Sequence, residues 1–448
     1  MERMRLRLIN GLLSRGYDVT LILQMLSGSL RDNVPPGVRV IVLSQPHVMG
    51  SVLPLAHVLR VLRPDFLVSS LDHNNVAALC AGVLSNSRVR LVVCQHNALS
   101  AERALGWRYR IVPVFYRLLF QRADSIVAVS HGVADDLAKI TGIRRRRISV
   151  ISNPVIGDDF WERSTVLVPH PWMTEHDIPL FVFIGRLVAQ KDPSTLLAAF
   201  DLLLKGQPAR LVILGEGPLQ AALEQQATSL GMSSSVLFAG FVRDPGPWLR
   251  AARALVLTSR YEGFGNVIIE ALGCGTPVIA TDCPHGPAEI MGHGQFGVLV
   301  AVGDAVAIAA AMSRDLRQDF PARLLRGRAA AFSVDSCVER HEVIFNHPRS
   351  RPSPRAFGLQ LTDLDAAAIA SQCLAVRAMR VRLVVTPNLD HIRLLRQSGF
   401  APRLQIGEPC LKHGLQPSIW ARELPEKLVW ICCGKLSSWP ARIIAYSV

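Results

Sequence analysis

Short apolar runs rich in β-branched residues alternate with helix-length segments along most of this chain. A first series lies at residues 17–23, 38–43, 66–70, 90–94, 125–129 and 148–151, and a second at 180–185, 210–214, 236–239, 254–257, 278–280 and 297–300. A run that is apolar throughout leaves no residue for solvent, and strands buried on both faces belong to parallel sheets with helices on each side. The alternation therefore predicts an α/β architecture of doubly wound parallel sheets. Two series of strands predict two such domains.

The 448 residues are too many for one ordinary core, and with 50% of them hydrophobic, disorder, collagen and coiled coil are excluded. No apolar stretch reaches the roughly 18 residues of a membrane span, and the first residues read as an amphipathic helix rather than a signal peptide. The chain is thus predicted to be neither membrane-spanning nor secreted by that route. Nine scattered cysteines without a C-x-x-C pair favour neither a disulfide framework nor a zinc site, which fits a reducing cytoplasm. The net charge is +14, of which residues 349–448 hold 14 basic minus 6 acidic side chains, or +8. Such charge suits nucleic acid, an anionic bilayer or a phosphate-bearing substrate. No helix-turn-helix, RNA-recognition or zinc-finger signature is present, so no nucleic-acid partner is predicted.

Residues 153–179 carry Pro154, Pro169, Pro171 and Pro179 without a sustained period, and residues 346–355 are basic and proline-rich. Both read as linkers. The predicted organisation is a first domain over 1–155, a linker over 156–178, a second domain over 179–345, a linker over 346–355 and a carboxyl-terminal segment over 356–448. A helix over residues 6–13 precedes the first strand, whereas a doubly wound domain opens with a strand and a glycine-rich turn. Either the sequence begins downstream of the domain's true start, or the first sheet lacks one strand. The last forty residues show little periodicity, and the run 428–432 with Ile443 and Ile444 predicts no core.

Residues 259–278 form the most informative block, passing from a strand through a glycine turn into a helix. Gly263 and Gly265 allow the backbone to turn tightly and approach a ligand, and the exposed amides of Gly265, Asn266 and Val267 suit a phosphate. Glu262 and Glu270 bracket the turn, one on the loop and the other within the helix, where it can accept hydrogen bonds from ribose hydroxyls. Earlier, a strand ends at Gly185 and is followed by Arg186 and Lys191, two cations that neutralise a diphosphate without a metal. Gly215-Glu216-Gly217 is another strand-to-helix turn. Alone, each has a structural reading as a cap, a surface charge or a plain connection. Their order on successive sheet ends points to a bound nucleotide.

Gly185-Arg186-Leu187 with Lys191-Asp192, then Gly215-Glu216-Gly217, then Glu262-x7-Glu270 followed by Ala271-Leu272-Gly273-Cys274-Gly275-Thr276-Pro277-Val278 resemble family 4 of the retaining glycosyltransferases. The resemblance spans about residues 5–345. It implies a GT-B fold, two doubly wound, Rossmann-like domains facing a cleft, with the nucleotide-sugar held mainly by the second domain and the acceptor by the first. By the same resemblance Arg186 and Lys191 grip the diphosphate and Glu262 touches the donor sugar. Gly185, Gly215, Phe264, Gly265, Asn266 and Val267 line the donor, Glu270 holds the ribose, and His96 meets the sugar from the first domain. A lone histidine in such a place is also often a structural residue. Ser130-His131-Gly132, Asn153-Pro154-Val155 and Gly286-Pro287-Ala288-Glu289-Ile290 match further family segments, with capping and packing roles sufficient for them.

The implied activity is transfer of a sugar from a UDP- or GDP-linked donor to a lipid-linked or polysaccharide acceptor in cell-envelope or exopolysaccharide synthesis. It needs no metal or cofactor. A sugar-nucleotide epimerase of the same architecture and a non-catalytic remnant or scaffold are the alternatives. Around residues 356–400, Leu361-Thr362-Asp363 and Val384-Val385-Thr386-Pro387-Asn388-Leu389-Asp390-His391 resemble the beginning of the WecG/TagA/CpsF glycosyltransferases, without the Asp-Gly turn that family needs. That segment is expected to be incomplete and inactive, with Thr386 a relic. Asp363-Leu364-Asp365 matches a metal-binding D-x-D by accident of sequence. The four arginines 144–147 read as a solvated face. Aromatics mixed with arginines over residues 107–122 suit either an anionic bilayer at the inner membrane face or core packing.

Overall fold

The computed structural model describes residues 2–25, 34–100, 112–157, 160, 170–175, 177–347 and 442–447. Most of the expected linker at 156–178, the residues 107–111, and the carboxyl-terminal motifs with Asp363, Asp365 and Thr386 lie outside the described residues. The strands of the first series are β1 (Asp18–Leu23), β2 (Arg39–Val42), β3 (Phe66–Ser70), β4 (Arg90–Gln95), β5 (Ser125–Ala128) and β6 (Ile148–Val150). The second series is β7 (Leu180–Ile184), β8 (Arg210–Leu214), β9 (Val236–Gly240), β10 (Ala254–Leu257), β11 (Val278–Thr281) and β12 (Val298–Val300). One further strand, β13, is Arg442–Ser447. The chain packs as two compact units, one of Met1–Gly11, Gln95–Arg117 and Val127–Asn346, the other of Leu12–Cys94, Leu118–Ile126 and His347–Val448.

In the former unit the sheet runs β12-β11-β10-β7-β8-β9, parallel throughout. Chain order leaves β7 in both directions, which is the doubly wound topology. Phe181 and Phe183 of β7 pack on one face with Leu196, Leu197 and Phe200, while Leu180 and Val182 pack on the other with Trp248, Val212 and Leu214. Both faces are therefore apolar, as the unbroken hydrophobic run predicts. The helix Pro193–Leu204 covers the first face because Leu196, Leu197, Phe200 and Leu203 fall on one side of it. Its start is set by Pro193 in the first turn, whose fixed φ suits that place.

The other sheet runs β2-β1-β13-β3-β4-β5-β6. Every residue of β3 is buried. The gap expected from the sequence does not exist, because β13 lies parallel between β1 and β3, with Ile444 opposite both Thr20 and Leu67. A six-residue run carries too little period to announce its place, and its partners lie near the other end of the chain. Within residues 107–122, Tyr116 and Phe120 are fully buried core groups, whereas Leu118, Arg117 and Arg122 are exposed. Arg144, Arg146 and Arg147 are solvated. No helix among the described residues is long and apolar enough to cross a membrane.

Phe200 touches both the sheet and its own helix neighbours, so Phe200→Ala removes transfer energy and leaves a cavity. The expected loss is about 3–5 kcal/mol, read as a lower midpoint in urea denaturation with unchanged slope.

Candidate functional site

Neighbouring strands β7 and β10 lie where the strand order reverses, the place at which open parallel sheets bind ligands. Gly185 ends β7, and the methylenes of Lys191 run 3.6 Å from the place a side chain at residue 185 would take. The Lys191 ammonium pairs with the carboxylate of Glu262, which follows β10, and the two side chains are only 17% and 8% exposed. The Ser259 hydroxyl donates to the same carboxylate oxygen at 2.7 Å. Backbone and side-chain bonds lace the two loops. The Arg260 amide donates to the Gln190 carbonyl at 2.8 Å, and the Gln190 side-chain amide donates to the Tyr261 carbonyl at 3.0 Å. The Thr258 hydroxyl lies 2.9 Å from the carbonyls of Lys191 and Asp192, and Arg260 Nε donates to Asp192 Oδ2 at 3.0 Å. Arg186, by contrast, is exposed and makes no ion pair or hydrogen bond with another side chain among the described residues. It is the cation left available to an anion.

Two glycines are required here by close approach. A Cβ on Gly215, whose φ is +142°, would strike the Gly185 carbonyl, so the turns after β7 and β8 can touch only as bare backbone. A Cβ on Gly263 would strike the carbonyl of His96, which places His96 against the turn that carries Glu262 and Phe264. The Ser130 hydroxyl accepts from the Val133 amide as the expected helix cap, and it also donates to the Gly263 carbonyl, each at 3.1 Å. Gly265 then begins the helix Asn266–Cys274 without a side-chain cap, leaving the amides of Asn266 and Val267 directed out of the helix start. Asn266 is held by the Asn153 amide at 2.9 Å.

Both ring nitrogens of His96 are shut off from solvent and bond to nothing among the described residues. Burial, with the charge of Arg5 beside it, pushes the imidazole down to about 3, so it is neutral and offers one donor and one acceptor. Glu270 instead faces other charges. Burial raises its pKa, while Arg7 and Arg3 of the helix Glu2–Ser14 oppose that rise. Burial, aided by Glu262, pushes the Cys283 thiol up to about 12, which makes it unreactive. Among the described residues no three His, Cys, Asp or Glu side chains gather as a metal site.

The structure thus brings together Gly185, Lys191, Gly215 and Glu262, sets His96 against Gly263, and leaves Arg186 open. It adds Ser259 and Arg260, and it gives Asn153 and Asp192, quoted only as parts of longer segments, partners in Asn266 and Arg260. The two hydroxyls of Thr258 and Ser259 at the end of the apolar strand β10 were the available signal.

Among solved structures, the chain is similar in fold to Anabaena HepE in complex with UDP-glucose, at 20% identity and a TM-score of 0.59, covering 73% of this chain and 99% of that one. The fold is that of the GT-B glycosyltransferases. The chain belongs to glycosyltransferase family 4: the Glycosyltransferase Family 4 model matches residues 1–156 and the Glycosyl transferases group 1 model matches residues 178–318. The lipopolysaccharide core biosynthesis glycosyltransferase LpsE of Rhizobium meliloti is 29% identical over 316 residues, covering 70% of this chain and 84% of that protein. An N-acetylgalactosaminyltransferase of Campylobacter jejuni, named for a diphospho-undecaprenol-linked acceptor, is 29% identical over 237 residues, covering 52% of this chain and 61% of that protein. An uncharacterized glycosyltransferase of Methanocaldococcus jannaschii is 26% identical over 252 residues, covering 54% and 62%. The match thus spans less than two thirds of the last two relatives.

The buried neutral state of His96 has a measurable consequence. In the unfolded chain the imidazole takes a proton below about pH 6.5, whereas the folded one does so only near 3. Stability from this group is therefore complete above the unfolded value and falls as the pH drops between the two. Urea denaturation across that range should show a pH slope shallower by about one proton in His96→Gln than in the wild type. Equal slopes would refute the buried neutral state.

Proposed function

We propose that the chain transfers a sugar, with retention at the anomeric carbon, from a UDP- or GDP-linked donor to a lipid-linked or saccharide acceptor in cell-envelope polysaccharide synthesis. One observation carries this reading. An open arginine, Arg186, and a half-buried lysine held by Glu262, Lys191, stand at the sheet position where the strand order reverses, beside an uncapped helix start. That is an arrangement for a diphosphate. The relatives named for lipopolysaccharide core synthesis and for a diphospho-undecaprenol-linked acceptor support the acceptor class.

In this reading Arg186 and Lys191 bind the two phosphates, with the amides of Gly265, Asn266 and Val267 adding fixed dipoles. Gly185, Gly215 and Phe264 shape the donor side. Glu262 both aligns Lys191 and accepts hydrogen bonds from the donor sugar, Glu270 accepts them from the ribose, and neutral His96 hydrogen-bonds the sugar. The acceptor hydroxyl oxygen bonds to the anomeric carbon as the bond to the phosphate oxygen breaks. The electron pair leaves with the nucleotide diphosphate, and the hydroxyl proton passes to the departing phosphate on the same face. The enzyme's contribution is to stabilise the charge developing on that phosphate more than the charge of the bound donor. No protein nucleophile, metal or cofactor enters the scheme. Residues 179–345 serve the donor and residues 1–155 the acceptor, joined by the linker 156–178. The exposed Arg117, Leu118 and Arg122 are available for peripheral contact with an anionic bilayer at the cytoplasmic face.

Calorimetry with UDP, GDP and ADP tests the donor site. One nucleotide is expected to bind, and Arg186→Ala is expected to abolish binding at the same concentrations. Lys191→Met, which keeps the stem but not the charge, should lower turnover by about 10²–10³-fold in a radiolabelled transfer assay. Full turnover in that variant would end the assignment.

A further inference from the structure

We propose that Arg442–Ser447 is an internal donor strand: the first sheet contains a strand-accepting slot between β1 and β3, and this carboxyl-terminal segment is its occupant. The molecule supplies its own standard of comparison. In the second sheet the chain leaves β7 for β8 and β9 on one side and for β10, β11 and β12 on the other. In the first sheet β1 and β2 lie on one side of β13, and β3, β4, β5 and β6 on the other. Apart from the additional edge strand β6, the two orders coincide when β13 takes the place of β7. The first sheet is thus doubly wound around a strand drawn from the far end of the sequence.

The pairing is extensive on both edges. From Asp18 opposite Arg442 to Leu23 opposite Ser447, β13 matches β1 at six positions, against four between β1 and β2. It matches β3 at four positions, from Phe66 opposite Ile443 to Ser69 opposite Tyr446. Without it, the facing backbone groups of β1 and β3 lose their ladder partners inside a sheet whose β1 and β3 residues are largely buried. The sequence of the segment suits the interior place. Its β-branched and aromatic residues favour a strand, and Pro440, which has no amide to donate, precedes Arg442 in the sequence. Completion of a sheet by a strand distant in the chain is donor-strand complementation carried out within one molecule.

Hydrogen exchange on the intact protein tests the proposal directly. The amides of Ile443, Ile444 and Ala445 are expected to be as protected as those of Leu67 and Val68, and exchange at free-chain rates would overturn it. Leu21→Cys with Ala445→Cys puts thiols on paired residues of adjacent strands, within the about 4.4–6.8 Å Cα separation that a disulfide spans. Oxidation should give a 21–445 bridge within one chain, and a bridge formed only between two chains would overturn insertion in cis. Ile444→Pro removes a ladder donor and should speed exchange at Thr20, Leu21 and Ile22 by about 100-fold. Unchanged protection at those three residues would also overturn the proposal.

Discussion

Lys191 and Glu262 are 71 residues apart in sequence, yet their charges meet where each is nearly closed to water. Moving either ion alone from water would cost several kcal/mol, even after relaxation. The pair is tolerable because Ser259 adds a hydrogen bond to the carboxylate and because Thr258, Arg260 and Gln190 fix the two loops to each other. Those loops can meet only because β7 and β10 are neighbours at the point where the strand order reverses. The site's electrostatics therefore rest on the strand order. In the proposed reading, a lysine already aligned by a buried carboxylate would need little reorganisation to meet a phosphate, the property electrostatic catalysis requires.

Backbone proximity is the second condition. The turns after β7 and β8 touch through Gly185 and Gly215, and the turn carrying Glu262 touches the carbonyl of His96 through Gly263. Any side chain at Gly215 or Gly263 would push these segments apart, and with them Arg186 and His96. The hydroxyl of Ser130 and the amide of Asn153 hold the same turn and the helix behind it from other elements. Positioning is thus shared between glycines, which permit the approach, and small polar side chains, which fix it.

The strands of both series were legible in the sequence because a parallel strand buried on both faces leaves an unbroken apolar run, as in β7, where alternate residues serve opposite faces. The glycine turns and the residues Arg186, Lys191 and Glu262 were legible because their chemistry is local to a strand end. What each would touch was not. Nothing in the spacing shows that Gly215 meets Gly185, that Ser259 holds Glu262, or that Arg3 and Arg7 bear on Glu270, since each contact joins segments brought together by the sheet. The aromatics near residue 116 were ambiguous for the same reason. A buried Tyr116 and Phe120 beside exposed Arg117 and Arg122 give the mixed composition that a membrane-facing helix also gives.

The expectation of a missing strand exposes the assumption behind reading a sheet from chain order. A hairpin ties neighbouring strands through a short turn, so adjacency in sequence and adjacency in the sheet go together. A parallel sheet has no such tie: each strand reaches its neighbour through a long connection, and the ladder depends on register and length alone. The slot between β1 and β3 is thus specified by the strands that flank it and is indifferent to where in the chain its occupant arises. Loop closure opposes a distant occupant only weakly, since its entropic cost grows with the logarithm of the length. Six residues of suitable composition can therefore occupy such a slot from a position hundreds of residues away in the chain.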